Sequence, residues 1–236
     1  MSKTKIEWCD ETWNPITGCT PISDGCKNCY AAKMANRLKN NPKTQKKYRN
    51  GFEVTFHRNE LNREFKGKGK RIFVCSMGDI FHADVNPLWI DYIIEKIRMT
   101  PQHTFLMLTK RTCIMSRYFE IIKAPKNLWL GVTIENQAST IRLTEFADIP
   151  APVKFISIEP LLELITIKDH KTISAIDWVI CGAETGPKAR QMKPHWAYSL
   201  QEECKNLKIP FFFKKFSKGE TKGEDMNREF PKQKDK

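Results

Sequence analysis

The feature that most constrains the fold of this chain is a regular alternation of short apolar runs with amphipathic segments. Each run has five or six residues and is rich in Val, Ile, Leu and Phe, which is typical of strands buried on both faces. The runs predict strands over residues 71–75, 104–109, 128–132, 153–158, 177–181 and 209–213. The segments between them predict helices over residues 87–99, 111–122, 136–146 and 195–206.

Strands separated by helices in this way form a parallel sheet with helices on its outer face. A weak first strand before Cys19 brings the count to seven or eight β/α units. The predicted fold is therefore a TIM-type (β/α) barrel or partial barrel that carries a cysteine loop near its N-terminus. A doubly wound open sheet is the alternative, although no glycine-rich dinucleotide fingerprint follows an early strand. Before residue 71 the pattern also predicts a helix over 30–40, a strand over 52–56 and a short helix over 59–65.

Three cysteines, Cys19, Cys26 and Cys29, form a C-x6-C-x2-C array with turn residues inside it. The helix predicted directly after Cys29 would favour thiolates at its N-terminus. Three clustered thiolates suit zinc or an iron–sulfur cluster, and three rather than four leave one metal position open. The alternatives are core packing, a disulfide with a spare thiol, and a closed zinc site with Cys9 as fourth ligand. Eight scattered cysteines and no export signal do not indicate a disulfide framework.

The net charge of +13 is concentrated in one segment. Between Lys33 and Lys70 twelve Lys or Arg residues face three Glu residues. Such a segment predicts a basic face that binds the phosphates of a nucleotide or nucleic acid. The alternative is a solvated, lysine-rich face without a partner.

Length and composition predict one large domain over residues 1–216. Residues 217–236 hold six basic and five acidic side chains with few apolar ones, which predicts a charged, flexible tail. No run approaches the roughly 20 apolar residues of a membrane span. Together with free thiols and no export signal, this predicts a soluble, cytoplasmic protein without a membrane partner.

Polar residues follow most of the predicted strands, at the end where (β/α) barrels carry their chemistry. Each alone has a structural interpretation, such as a helix cap or a solvated turn. Together, several carboxylates and cations at one rim, beside a thiolate cluster, predict a functional site. Its candidate residues are Gly78, Asp79, Lys110, Arg111, Glu135, Glu159, Glu184 and Lys214.

Several short motifs resemble a phage and bacterial protein family with a three-cysteine motif, which is itself similar to the radical S-adenosylmethionine (radical-SAM) superfamily. The resemblance extends from Ile6 to about Phe216. It is carried by Trp13-Asn14-Pro15 with Gly18-Cys19, by Cys26 and Cys29-Tyr30-Ala31, by Ser76 to His82, by Ile158 to Leu161, by Cys181 to Pro187 and by Phe212-Phe213-Lys214.

The resemblance implies that Cys19, Cys26 and Cys29 hold a [4Fe-4S] cluster whose fourth iron binds S-adenosylmethionine. Gly78 and Asp79 would correspond to the glycine-acid element that meets the methionine amine. This chain departs from the common superfamily pattern at two points. Six residues separate its first two cysteines where three are common, and Met77-Gly78-Asp79 replaces the usual Gly-Gly-Glu. Reduction of the cluster would need an electron donor such as flavodoxin or ferredoxin.

Two hypotheses follow from the sequence. In the first, the protein is a radical-SAM-like enzyme that acts on a nucleotide or nucleic acid. Asp79 would then bind the cofactor amine, Glu135 or Glu159 its ribose, and Lys110 or Arg111 its carboxylate. Glu159 and Glu184 would position the substrate or the cofactor, and Lys110, Arg111 and Lys214 would meet anionic groups of the substrate. In the second, the protein is a non-enzymatic module whose N-terminal part is stabilised by a zinc or iron–sulfur centre and whose basic face binds nucleic acid. The rim carboxylates favour the first, because a phosphate-binding surface gains nothing from them.

Overall fold

The computed structural model describes residues 4–220 and 223–232. Its strands are β1 (Glu11–Trp13), β2 (Ile16–Thr17), β3 (Thr55–Phe56), β4 (Arg71–Val74), β5 (Thr104–Thr109), β6 (Leu128–Thr133), β7 (Val153–Ile158), β8 (Trp178–Cys181) and β9 (Phe211–Phe213). Its α-helices are α1 (Tyr30–Lys39), α2 (Pro87–Arg98), α3 (Thr112–Ile121), α4 (Arg142–Ala147) and α5 (Pro194–Leu207).

Seven strands form one parallel sheet in the order β1-β4-β5-β6-β7-β8-β9. Each strand after β1 lies beside the preceding strand of the sheet, as a winding (β/α) architecture requires. The sheet curls into a half-barrel, which confirms the predicted partial barrel of the TIM type.

Three predicted elements differ from the structure in detail. The strand predicted over 52–56 is shortened to β3, which pairs antiparallel with β2 in a separate two-stranded sheet. The short helix predicted over 59–65 is a 3-10 helix, Arg58–Asn62. The helix predicted over 136–146 begins as a 3-10 segment, Gln137–Ile141, and Asn136 caps that turn by accepting the Ser139 amide. None of these changes alters the order of the parallel strands.

Helix α2 illustrates how sequence signals position the outer layer. The Asn86 side chain accepts the Leu88 amide at 3.0 Å, and Pro87 occupies the first helical position. The helix then buries a stripe of four isoleucines against the sheet: Ile90, Ile93, Ile94 and Ile97. Each isoleucine contributes roughly 1.5–3 kcal/mol relative to an exposed side chain, so the stripe fixes the helix on the sheet.

The inner, concave face of the sheet carries its own apolar cluster, separate from the core under the helices. Trp8 packs into it, with its ring centroid 4.6 Å from that of Phe73. Phe155 fills the space beside Gly131, where an added Cβ would lie 2.3 Å from the Phe155 ring. Buried side chains of this cluster include Phe73, Leu106, Trp129, Phe155, Trp178, Ile180 and Phe212. Because side chains alternate along a strand, these residues define which positions face inward.

Residues 223–232 lie against the half-barrel. The Phe213 amide donates to the Asn227 carbonyl at 2.8 Å, and the Glu229 amide donates to the Phe211 carbonyl at 2.9 Å. The Phe230 ring packs 5.4 Å from Trp178, between their centroids. These contacts connect residues 223–232, part of the segment for which composition predicts flexibility, to β8 and β9. Residues 221–222 and 233–236 of the same segment lie outside the described part. The division of the chain at residue 217 stays a prediction.

Within residues 4–220 and 223–232, no helix has the length and apolar character needed to cross a membrane.

Candidate functional site

Side chains alternate between the two faces of the sheet, and this alternation continues beyond the ends of the strands. It determines which residues at the rim face inward. Lys110 and Glu159 each follow an inner-cluster residue, Leu106 and Phe155, by four positions. Because an even spacing keeps a side chain on the same face, these residues face the mouth of the half-barrel. The same spacing rule applies to Glu135, Glu184 and Lys214.

The cysteine loop, defined as residues 19–29, lies against this rim. Gly18 forms a parallel bridge with Gly78, just beyond β4. A Cβ on Gly78 would approach the Gly18 carbonyl oxygen to 2.8 Å, so the glycine permits a contact that no larger residue would. Farther along the loop, a Cβ on Gly25 would lie 2.9 Å from the Lys110 Nζ atom. The loop is therefore seated on the rim at both points.

The three cysteines of the loop are free and half-exposed. Among the residues that the structure describes, no three His, Cys, Asp or Glu side chains converge to hold a metal ion. The donor chemistry still fits an iron–sulfur cluster, since three thiols lie on one loop beside the Lys110 and Arg111 cations. The role of Cys19, Cys26 and Cys29 as ligands thus stays a prediction.

Cys9, the alternative fourth ligand, lies in a different environment. It is 6% exposed and belongs to the inner apolar cluster with Trp8 and Phe73. Burial, with the nearby Asp10 charge, raises the pKa of the Cys9 thiol to about 12. Its burial in this cluster distinguishes Cys9 from the three loop cysteines, which keep part of their surface exposed.

Arg111 and Asp79 connect the first cysteine to the rim. The Arg111 Nη1 atom donates to the Cys19 Sγ atom at 3.3 Å and to the Asp79 Oδ2 atom at 2.8 Å. The Asp79 Oδ1 atom accepts the Thr109 hydroxyl at 2.7 Å, and the Arg111 Nη2 atom donates to the Thr20 carbonyl at 2.9 Å. Asp79, predicted to meet the cofactor amine, is thus buried and committed to Arg111.

Glu135 is fully buried and paired with two cations. Arg142 donates to its Oε2 atom at 2.6 Å, and the Lys110 Nζ atom lies 3.2 Å from its Oε1 atom. Burial alone would raise the pKa of Glu135, but the Lys110 charge, the Arg142 hydrogen bonds and charge, and the Ser23 hydroxyl hold it below its usual value. Because Ser23 and Gly25 both belong to the cysteine loop, Glu135 and Lys110 support that loop.

Glu184 supports the last part of the loop. Its Oε2 atom accepts the Asn28 amide at 2.9 Å, and Asn28 lies between Cys26 and Cys29. Arg190 forms an ion pair with the same carboxylate and also donates to the Asp24 carbonyl at 3.0 Å. Burial opposes ionisation, yet the Arg190 and Asn28 hydrogen bonds lower the pKa of Glu184 to about 2.

Glu159 differs from the other rim carboxylates. It forms an ion pair with Lys214 at the end of β9, and both side chains keep part of their surface exposed. No hydrogen bond within the described residues connects this pair to the cysteine loop. Glu159 and Lys214 are therefore the inward-facing pair that remains available to a bound molecule.

The thiols of the loop differ in ionisation. Burial raises the pKa of the Cys19 thiol to about 11, with the Asp79 charge adding to the effect and Arg111 opposing it. For Cys26, burial is outweighed by the Ile22 backbone hydrogen bond, the Lys110 charge and the Ser23 hydrogen bonds, so its pKa is lowered.

Beside Cys19 a cleft of about 390 Å³ opens toward α1, lined in part by Asn36, Lys39, Asn50 and Asp84.

Three functional residues escaped the sequence analysis: Asn28, Arg142 and Arg190. Arg142 and Arg190 follow their carboxylate partners by seven and six residues, with a turn or loop between. Only Asn28 carried a sequence signal, because it lies inside the cysteine array.

The basic segment divides into two groups. Lys47, Arg63 and Lys70 form ion pairs, with Glu60 for the first and Glu11 for the other two. The remaining cations of the segment are exposed and form no ion pair within the described part of the chain: Lys33, Arg37, Lys39, Lys43, Lys46, Arg49, Arg58, Lys66 and Lys68.

Fold and rim together define a parallel (β/α) half-barrel with a three-cysteine loop at its rim. The chain belongs to the family described as a protein of unknown function (DUF5131), whose model matches residues 3–236. No curated protein sequence matches it.

Three solved structures of spore photoproduct lyase are similar in fold. The enzyme complexed with dinucleoside spore photoproduct has a TM-score of 0.56 at 11% identity, over 90% of this chain and 79% of that one. A cysteine-to-alanine mutant of the lyase with the same dinucleoside gives the same values. A cysteine-to-serine mutant has a TM-score of 0.55 at 10% identity, with the same coverage. At this identity the likeness shows the fold alone, and it agrees with the partial (β/α) barrel expected from the sequence.

Proposed function

We propose that this protein is an iron–sulfur enzyme of the radical-SAM type, which uses S-adenosylmethionine and acts on a nucleotide or nucleic acid. The observation that carries the proposal is the placement of Cys19, Cys26 and Cys29 on one loop at the carboxyl rim of a parallel half-barrel. The rim of such a fold is where catalysis occurs, and three thiols without a fourth leave one metal position open.

In this proposal, Cys19, Cys26 and Cys29 hold a [4Fe-4S] cluster. When bound and reduced, such a cluster with S-adenosylmethionine supplies a 5′-deoxyadenosyl radical. The surrounding residues prepare the loop for this role. Arg111 orients Cys19, and the Lys110 charge favours the thiolate of Cys26.

Gly78 and Asp79 define the edge of the cofactor site in the proposal. Asp79 accepts hydrogen bonds from Thr109, Arg111 and the Phe81 amide. A carboxylate has about four acceptor sites, which leaves one for a further donor such as the cofactor amine. Arg111 or Lys110 then meets the cofactor carboxylate, and Glu135 or Glu159 meets the ribose.

Glu159 and Lys214 are the residues proposed to meet the substrate. Their partly exposed ion pair offers a hydrogen-bond acceptor beside a donor, a pattern that suits the edge of a nucleobase. Glu184, first expected to position cofactor or substrate, acts through Asn28 by holding the loop. The exposed cations after Cys29 and the dinucleoside in the spore photoproduct lyase complex support a nucleotide-bearing substrate.

The proposal is tested by incubating anaerobically reconstituted protein with S-adenosylmethionine and dithionite, in place of a flavodoxin or ferredoxin donor. Release of 5′-deoxyadenosine is the expected result. The control is a Cys26→Ala variant, which should release none. Protein that holds iron and sulfide but releases no 5′-deoxyadenosine with any reductant would contradict the enzymatic proposal and leave a nucleic-acid-binding module.

A further inference from the structure

Helix α1 exposes a stripe that combines aromatic, apolar and basic side chains. Tyr30, Lys33, Met34 and Arg37 follow the i, i+3, i+4, i+7 spacing and therefore share one face of the helix. All four are exposed, including 47% of Tyr30 and 39% of Met34. A different face of the helix buries Ala31 and Ala35, so the stripe keeps its solvent exposure.

The stripe begins at the mouth of the half-barrel. Tyr30 directly follows Cys29, and its hydroxyl donates to the Ser76 carbonyl beyond β4 at 2.5 Å. The Lys33 Nζ atom lies beside Gly186 in the loop after β8, 3.8 Å from where a Cβ would stand. The helix thus starts beside the third cysteine and leads outward from the rim.

The chemistry of the stripe combines an aromatic ring, a thioether and two cations without acidic partners. Lys33 and Arg37 form no ion pair within the described residues, and they lie about 6 Å apart along the helix axis. That rise lets the two cations meet consecutive phosphates of an extended strand. An exposed aromatic side chain beside such cations is the means by which proteins hold unpaired bases.

The geometry points to a binding site for single-stranded nucleic acid on the Tyr30–Lys33–Met34–Arg37 stripe, with the strand running along α1 into the mouth of the half-barrel. Tyr30 stacks on the base nearest the cysteine loop, and Lys33 and Arg37 bind the phosphates on either side of Met34. A duplex does not fit this role, because its bases are already stacked on one another. The inference rests on the proposed function and narrows its substrate to a polynucleotide strand.

The test is a fluorescence-anisotropy titration of a labelled 12-nucleotide pyrimidine DNA strand, with the matching duplex and free nucleoside monophosphate as competitors. We expect tighter binding of the strand than of the duplex, and little competition by the mononucleotide. Tyr30→Leu should weaken binding about tenfold, whereas Tyr30→Phe, which keeps the ring but loses the Ser76 hydrogen bond, should bind like the parent.

The double substitution Lys33→Gln with Arg37→Gln should reduce the slope of log K against log salt by about two. Its matched control is Lys66→Gln with Lys68→Gln, which removes the same charge from exposed lysines before β4, at the end of the sheet away from the mouth. Equal effects of the two pairs, or preference for the duplex or mononucleotide, would overturn the inference. Iron and sulfide are assayed on every variant. Strand binding that is unchanged in Tyr30→Leu and in the double variant, with an intact metal centre, counts against this site and not against the proposed function.

Discussion

The Asn28 side-chain amide donates to the Glu184 carboxylate at 2.9 Å, across 156 positions of sequence. This contact joins the segment between Cys26 and Cys29 to the loop that follows β8. Asp79 and Glu135 do the same at other points of the loop, through Arg111 and through Lys110 with Ser23. The three rim carboxylates Asp79, Glu135 and Glu184 are thus each bound to the cysteine loop, either directly or through a neighbouring cation.

Replacing Glu184 by Gln should make the stability of the protein less dependent on pH in the acid range. A carboxyl whose pKa is lowered by folding stabilises the native state above its unfolded pKa, near 4.5, and this stabilisation is lost as the pH falls toward about 2. The contribution at neutral pH is up to about 3 kcal/mol, since each pKa unit corresponds to about 1.4 kcal/mol. Urea unfolding between pH 7 and pH 3 measures it.

Glu64→Gln is the matched control, because Glu64 is exposed and forms no ion pair or hydrogen bond within the described residues. It should follow the parent at every pH. Parallel pH profiles for the parent and Glu184→Gln would show that Glu184 does not stabilise the loop.

Gly18→Ala should destabilise the protein by more than about 2 kcal/mol, from backbone strain and a steric clash. Gly18 has a φ of +95°, and a Cβ there would lie 2.1 Å from the Glu53 carbonyl oxygen. Gly69→Ala is the control, since Gly69 has a φ of +68° but nothing within 4 Å, and it should cost about 1 kcal/mol. Equal decreases in the free energy of unfolding for the two variants, measured with urea, would mean that the backbone at Gly18 and Glu53 can move apart to admit a Cβ.

Arg111→Gln should cost about 3–5 kcal/mol, because it leaves the buried Asp79 carboxylate without its cation. Asp79→Asn combined with Arg111→Gln should cost less than the sum of the two single changes, since the double variant leaves neither charge unpaired. Urea unfolding of the four proteins gives the coupling energy. Additive losses would indicate that the two side chains act independently.

Cys26 should react with iodoacetamide faster than Cys19 at pH 7.5. The thiolate is the nucleophile, and the pKa of Cys26 is lowered while that of Cys19 is raised to about 11. Peptide mass spectrometry on metal-free protein follows both sites, with the exposed Cys113 as a reference for reagent access. Faster alkylation of Cys19 would contradict the charge arrangement around the loop.

The parallel half-barrel could be predicted because its determinants are local. Continuous apolar runs at 104–109 and 153–158 became β5 and β7 with those bounds. The rim position of Glu135 or Glu159 then followed from the strand ends. Membership of the small β2–β3 sheet could not be predicted, because it depends on pairing across about 40 residues.

The partners within the site depended on tertiary contacts that no local pattern contains. Nothing near Glu184 in sequence indicates Asn28, and the sequence places Arg142 in a helix without indicating Glu135. Helix α1 shows the same dependence on tertiary contacts. Its apolar residues Ala31, Ala32, Met34, Ala35 and Leu38 predict a buried stripe, and Ala31 and Ala35 are buried, but Met34 is 39% exposed.

Metal analysis of anaerobically reconstituted protein tests the central claim most directly. Iron, acid-labile sulfide and zinc are measured on the parent and on two variants, Cys26→Ala and Cys9→Ala, together with the visible spectrum. The account predicts about four irons and four sulfides per chain in the parent and in Cys9→Ala, with loss of the cluster in Cys26→Ala. Stoichiometric zinc without sulfide, or loss of the metal centre in Cys9→Ala, would contradict it.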